Sequence, residues 1–501
     1  MIIRTTKAAL ASGTILAMAG MASAQTLDVA LNSPPAGLDP HLVTAFNSVL
    51  IASPNIYEAL TGINADLDIT PALAESWEIS EDGKTYTFKL REGATFHDGS
   101  TFDAEDVAAS LRRVLSEKIA SPLASRISPI TDIEVVDPAT IRLTLDAPFA
   151  PLLASLATVA IVPAEFEDDP DALQKTPVGT GPFAFAEWQP NGYISLTAFD
   201  GYYMDGLPKI GEVRFHFVPE SATAQAGFLA GDYDLLPGID PATSLTLSAN
   251  PNIEIQDTRD LSYTLIGMNA SVAPLDNPEV REAVNMLLDR QSIIDAALFG
   301  AGVPAGPLSP ALTSWAVDTS EYACYTQDVE GAKAKLALSG VTEPLKIRMI
   351  VLPRQDARDI AQVAQQQLAA GGIEVELVNQ EIGQFVQDWR NSNFDMFVSA
   401  NGGAIDPDLY FYRTFYGGGS TNVFKYDNPE IDALLDEGRS VTDMEKRQEI
   451  YADLQKRLAC QGPVAHIAYG DLMTAVGPKV EGFVINPLGR LNNLSEVTLS
   501  E

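Results

Sequence analysis

The chain is 501 residues long and carries 67 acidic against 32 basic side chains, a formal net charge of −35. At roughly 100 to 200 residues per domain, that length predicts two to four units with cores of their own, and apolar residues recurring throughout exclude disorder. The charge argues against nucleic acid as a partner, since phosphate neutralisation needs clustered lysine and arginine, and it opposes an anionic membrane surface.

In chain order, residues 1–24 read as a secretory signal peptide. They have a positive front (Arg4, Lys7), an apolar stretch from Ala8 to Met21, and Ala22-Ser23-Ala24 as a cleavage site before Gln25. The apolar run is short and interrupted by Ser12, Gly13 and Thr14, which disfavours a stable membrane span. Leu27 to Leu31 alternates as a strand. Ser76 to Leu90 is the clearest hairpin, with Trp77 and Ile79 on one arm, Tyr86, Phe88 and Leu90 on the other, and Glu81-Asp82-Gly83-Lys84 as its turn. Asp103 caps a helix bearing Val107, Leu111 and Val114 at helical spacing. Strands follow at Ile133 to Val136 and Ile141 to Leu145, on either side of Asp137-Pro138. The breaker-rich loop Pro177 to Pro182 leads into alternating strands at 183–188 and 193–199. A further strand, Val213 to Val218, precedes a helix ending at Gly231.

From Asn277-Pro278, an N-cap followed by a first-turn proline, the chain turns helical. Leu345 to Val351, a helix through Ile360, Val363 and Leu368, and Ile373 to Leu377 make a strand-helix-strand unit, hence parallel pairing. Phe394 to Ser399 reads as a short strand. Asn428-Pro429 opens one helix, and Ile450, Tyr451, Leu454 and Leu458 mark another. The sum is mixed α/β, with a second α/β lobe after about residue 275.

The sequence holds no nucleophile elbow, no HExxH, no phosphate loop and no dinucleotide fingerprint. Its four histidines, His41, His97, His216 and His466, are scattered, so no spacing supports a metal site. His97-Asp98-Gly99 reads as a turn rather than a catalytic element. No catalytic residue, metal or cofactor is expected. Cys324 and Cys460 are the only cysteines; in an exported chain a disulfide is the leading reading, with two buried thiols the alternative.

Taken in order, several segments resemble a known family. They are Leu38-Asp39-Pro40-His41; Ile56 to Leu60; Pro71 to Trp77; Asp82 to Gly93 with Phe96 to Gly99; and Ala104 to Val107. Further on come Pro177 to Phe183 with Trp188, Val280 to Ala283 with Leu288-Asp289-Arg290, and Asp406-Pro407. The chain is similar in this pattern to the large extracytoplasmic solute-binding proteins of ABC importers, the family of periplasmic oligopeptide-, dipeptide- and nickel-binding proteins. The resemblance implies an α/β, two-lobed periplasmic-binding-protein fold with a hinge and an extra domain inserted in the first lobe. Lobe I is then expected at 25–55, 177–272 and 473–501, the inserted domain at 56–176, and lobe II at 273–472. It also implies a periplasmic, monomeric, non-enzymatic receptor that captures a peptide or peptide-like solute between its lobes. Delivery would be to an inner-membrane ABC permease and its ATPase, with no stable membrane insertion. An opine, an oligosaccharide or a metal chelate is the alternative solute, and an exported hydrolase the more remote alternative.

By the same resemblance, Thr44, Ala45, Phe46 and Asn47, together with Asn401, Gly402 and Gly403, would contact the ligand backbone, a mode that pairs main-chain groups without reading side chains. The alternative for Asn401-Gly402-Gly403 is a tight loop. Gly403 stands where relatives that grip a free α-amine have Asp, which leaves Asp406, Asp408 or Asp395 to substitute, or a ligand that is not an ordinary free peptide. Leu123 stands where oligopeptide binders carry Tyr. Arg354, near where dipeptide binders hold the α-carboxylate, and Arg413 are candidate anion clamps, with a surface ion pair the alternative for each. Trp315, Trp389 and Tyr410 to Tyr416 are candidates for a pocket wall or for core.

Overall fold

The computed structural model describes residues 25–341 and 344–500; the leader segment read in 1–24 lies outside them. Its largest sheet has eleven strands. The order across it is Ile373–Asn379, Leu345–Val351, Met396–Asn401, Glu254–Met268, Val464–Val476, Leu235–Pro237, Thr26–Leu31, Glu212–Phe217, Tyr193–Ala198 and Phe183–Gln189, with Gly302–Pro304 also paired to Val464–Val476. The expected parallel unit is present: Leu345 lies opposite Ile373, and the helix Gln355–Ala370 connecting the two strands buries Ile360, Ala364 and Leu368 against them.

Two long strands, Glu254–Met268 and Val464–Val476, run antiparallel through the middle of this sheet. At one end Val464–Val476 pairs with Leu235–Pro237, beside the first-lobe strands; at the other, Glu254–Met268 pairs with Met396–Asn401. Their own pairing slips between Arg259 and Tyr263. Among the described residues only these two strands carry the sheet from one half to the other, and boundaries drawn at 272 and 472 therefore divide a continuous sheet near the ends of its connecting strands.

Each half has its own core. Leu27, Val29, Leu196 and Phe215 anchor the first, while Val284, Leu287, Ile347 and Met349 anchor the second. A separate four-stranded sheet, in the order Ala74–Ile79, Thr85–Leu90, Thr140–Leu145 and Ile130–Asp137, packs the helix Ala104–Leu115 over a third core containing Tyr86, Phe88, Leu111 and Ile141. Here the expected hairpin forms, turning at Gly83. The expected cap forms too: the Asp103 carboxylate accepts from the Glu105 N–H, and Asp106 reaches back to the Asp103 N–H.

The Leu-Asp-Pro-His motif fastens this smaller sheet to the first lobe. Arg113, on the helix Ala104–Leu115, donates to both Asp39 oxygens at 2.6 and 3.2 Å, meets His41 Nδ1 at 2.9 Å, and donates to the Phe166 and Asp169 carbonyls. Both charged partners are fully buried. Breaking such a pair from one side leaves an uncompensated charge in the interior, which is strongly destabilising. Cys324 and Cys460 are joined in a disulfide with a Cα–Cα distance of 5.7 Å, tying the segment before the helix Val329–Leu338 to the helix Met444–Gln461. No helix among the described residues is long and apolar enough to cross a membrane.

Candidate functional site

The segment after the Asp-Pro-His motif forms a short helix, Phe46–Ala52, that enters the structure from an extended Ala45. Thr44 and Phe46 line a cavity of about 280 Å³, walled by Val43, Leu123 and Leu488 as well. Ala45, Phe46 and Asn47 line a neighbouring cavity of about 540 Å³, bounded by Asn32 to Ala36, Leu472 to Thr474 and Ile485. The two meet at Phe46, Leu50 and Arg490. Phe46 is 59% exposed, an apolar ring left facing open space beside two cavities. Asn47 Nδ2 donates to the Ser33 carbonyl at 2.8 Å, holding the helix start against the loop after the first strand.

The second group of expected residues lies at the end of the strand Met396–Asn401. Asn401 Nδ2 donates to the Tyr263 hydroxyl at 3.4 Å, and Arg413 donates to the Gly402 carbonyl at 2.7 Å. Gly403 passes so close to the connecting strand that a Cβ there would stand 2.3 Å from the Leu261 carbonyl oxygen. The missing carboxylate at this position is thus a packing requirement: the backbone leaves no room for any side chain.

Of the acidic residues considered as substitutes, Asp406 and Asp408 have both carboxylate oxygens engaged and Asp395 has one. Asp406, expected at the ligand, is only 8% exposed and is spent on structure. It caps the helix Pro407–Phe415 by accepting from the Asp408 N–H and takes two hydrogen bonds from Arg447 at 2.8 and 2.9 Å. Asp408 is fully buried and is held by Arg439. Asp395 accepts from the Arg348 N–H. Arg354 forms a two-point ion pair with Asp356 at the start of the helix Gln355–Ala370, and this contact holds its guanidinium above the ordinary range. It lines neither cavity. Of the aromatic candidates, Tyr410 is buried and Trp315 packs edge-on to Tyr451 at 5.8 Å, so both belong to the core. Tyr412 and Tyr416 stack on each other at 4.3 Å.

Two arginines that no local motif singles out, Arg126 and Arg490, line the smaller cavity together. Arg126 sits on the short helix Ala124–Ile127. Arg490 follows a turn in which the Asn486 side chain accepts from the Leu488 N–H and Gly489 takes a φ of +67°, with the Phe46 ring pressed against it. The left-handed backbone and the close ring both require glycine there. A sequence signal for these arginines exists only in retrospect: each lacks an acidic neighbour in a strongly acidic chain.

The four histidines are apart and each is engaged, His41 with Arg113, His97 with the Gly181 carbonyl, His216 with Asp28 and His466 with Tyr410. Burial lowers the His41 pKa to about 4 and that of His466 to about 3, keeping both rings neutral. Among the described residues no group of three or more His, Cys, Asp or Glu side chains is placed to hold a metal ion.

Two lobes on one continuous sheet, with cavities beside the connecting strands, define a two-lobed binding protein of the periplasmic type. The model of the bacterial extracellular solute-binding proteins, family 5, matches residues 68–422, and the chain belongs to that family. It is 29% identical over 95% of both chains to the dipeptide-binding protein of Escherichia coli. It is 30% identical to heme-binding protein A of Haemophilus influenzae, over 91% of this chain and 89% of that one. The crystal structure of the ABC transporter substrate-binding protein CtaP from Listeria monocytogenes superposes with a TM-score of 0.87 at 26% identity, covering 95% of this chain and 99% of that one.

Proposed function

We propose that this protein is the periplasmic receptor of an ABC importer. It captures a peptide or peptide-like solute at the cavities around Phe46 and delivers it, as a monomer, to an inner-membrane permease and ATPase. No chemical step belongs to this role. The observation that carries the reading is the sheet crossing: among the described residues two strands carry the sheet between the halves, and their pairing lapses between Arg259 and Tyr263. A change in the angle between lobes would turn about that crossing and part contacts such as the Ala150 N–H to Arg439 carbonyl bond, and a ligand touching both lobes would bias that angle by its contacts in the closed state. Membership of the solute-binding family and the dipeptide-binding relative support the same role. In this reading Thr44, Ala45, Phe46 and Asn47 contact the solute from the first lobe at the cavities, and Asn401, Gly402 and Arg413, which line neither cavity, meet it from the second where it reaches beyond them.

Thermal unfolding with a peptide library tests it. A ligand present at a hundredfold excess over its Kd adds about 2.7 kcal/mol to the folded state by mass action. The expected result is a concentration-dependent rise of a few degrees in melting temperature. No rise with peptides of two to five residues would contradict the peptide assignment.

A further inference from the structure

The two relatives named above, nearly equal in identity to this chain, carry the names of unrelated ligands, so likeness alone does not choose the solute. The charge balance of the cavity does. Arg126 and Arg490 face the same 280 Å³ space, and among the described residues neither side chain has a hydrogen bond or a carboxylate within ion-pair reach. Arg413 approaches from the second lobe, close enough for its charge to act on Arg126, and its Nε is buried with no partner. Desolvation and then the positive neighbour depress the pKa of both Arg126 and Arg490.

Across both cavities the only acidic lining residue among the described residues is Asp39, and Arg113 takes both of its oxygens. A protein with 67 acidic residues has thus placed two unneutralised guanidinium groups on one space, with the charge of a third, Arg413, acting on Arg126 although it lines neither cavity, and has kept free carboxylates away from that space. Uncompensated, partly buried like charges are unfavourable in the empty protein, and an anion would relieve them. The overall field repels anions, so capture of one has to come from such local groups. Guanidinium forks suit carboxylates, while Val43, Leu123 and the exposed Phe46 ring offer an apolar wall for the stem between them.

We propose that Arg126 and Arg490, with Arg413 adding its charge from the second lobe, form an anion subsite of the receptor, and that the solute is a peptide-sized dianion whose two carboxylates seat there and whose amine is not gripped. The inference rests on the receptor reading above. It also gives the occupied Gly403 position a meaning: with no room for an amine-binding carboxylate, recognition is transferred to the acidic end of the ligand.

The test is titration calorimetry on the full chain with N-acetyl-alanyl-glutamate, its uncharged N-acetyl-alanyl-glutaminamide analogue, free Ala-Ala and a mixed peptide library, repeated with Arg126→Gln and Arg490→Gln. The dianion is expected to bind at least about tenfold more tightly than the neutral analogue or Ala-Ala, and each variant to weaken it by about tenfold to a hundredfold, the size of a lost charge-assisted contact. The ligand-free variants are expected to melt no lower than the parent, because each removes like-charge repulsion. Equal binding of neutral and dianionic probes, or library peptides that bind while the dianion does not, overturns the subsite and leaves the receptor intact. Unchanged dianion affinity in variants that melt lower gives these arginines a structural role and also overturns it. Failure of every probe and of the library removes the receptor reading as well.

Discussion

Replacing Gly403 tests the packing argument against the logic of motifs. A motif reading holds that Gly403→Asp restores an amine-binding carboxylate and improves affinity for free dipeptides. The structure says otherwise. A Cβ at 403 falls 2.3 Å from the Leu261 carbonyl oxygen, 3.0 Å from its carbon and 3.1 Å from the Leu261 Cβ. An ordinary carbon–oxygen contact needs about 1 Å more. The obstacle is backbone, not the end of a flexible side chain, and Leu261 is itself 4% exposed in the core shared by Tyr263, Phe397 and Phe411. Relief therefore requires moving one strand against the other where the lobes join, a change of the overpacking kind, which costs about 1–3 kcal/mol. Gly403→Ala isolates that cost, because it adds the Cβ without the charge. Urea unfolding of the parent, Gly403→Ala and Gly403→Asp should show the midpoint falling in both variants, with no gain in Ala-Ala affinity by calorimetry. A Gly403→Asp protein as stable as the parent that binds Ala-Ala more tightly would refute the reasoning.

Three further outcomes follow from buried groups. Glu58 accepts hydrogen bonds from Tyr202, Tyr203 and Thr180, yet desolvation outweighs these and raises its pKa to about 7. The folded state then holds this proton more tightly than the unfolded one, so stability falls as pH rises from about 4.5 through 7, by about 3 kcal/mol in all. Glu58→Gln should flatten that fall in urea unfolding from pH 5 to 8, and parallel pH profiles of variant and parent would contradict it. Arg113→Met strands Asp39 and His41 and should cost about 3–5 kcal/mol in the same assay, whereas a loss under about 1 kcal/mol would deny the pair its role in fastening the smaller sheet. The Cys324–Cys460 bridge spans a sequence separation of 136, and in the chain-entropy model its loss costs up to about 5 kcal/mol. Cys324→Ser with Cys460→Ser should lower the denaturation midpoint under non-reducing conditions, and an unchanged midpoint would show that the helix Met444–Gln461 holds that segment without it.

Local order was legible in the sequence because it is locally caused. Asp103, Asn277 and Asn428 each accept from the first turn of the helix that follows, Gly231 closes a helix with a left-handed residue, and alternation marked both arms of the hairpin at 74–90. The resemblance carried the two-lobed fold. The connecting strands went unread: Asp257, Arg259 and Asp260 break the alternation of one, and its partner lies about two hundred residues further on, beyond any local pattern. Site residues divided in the same way. Thr44 to Asn47 do line cavities, but Asp406 proved to be a helix cap paired with Arg447, because a motif gives the position of a carboxylate and not the cation that reaches it first. Arg126 and Arg490 were invisible because their significance lies in what they lack, a partner, and that is a property of three dimensions.

As a receptor, this chain has one solute site. Titration calorimetry of the full chain with the peptide library, followed by the fraction that binds, tests it most directly. The receptor role predicts saturable heat with one ligand bound per chain, abolished or strongly weakened by Phe46→Asp at the junction of the two cavities. Absence of saturable heat, or saturable binding that Phe46→Asp leaves unchanged, would contradict it.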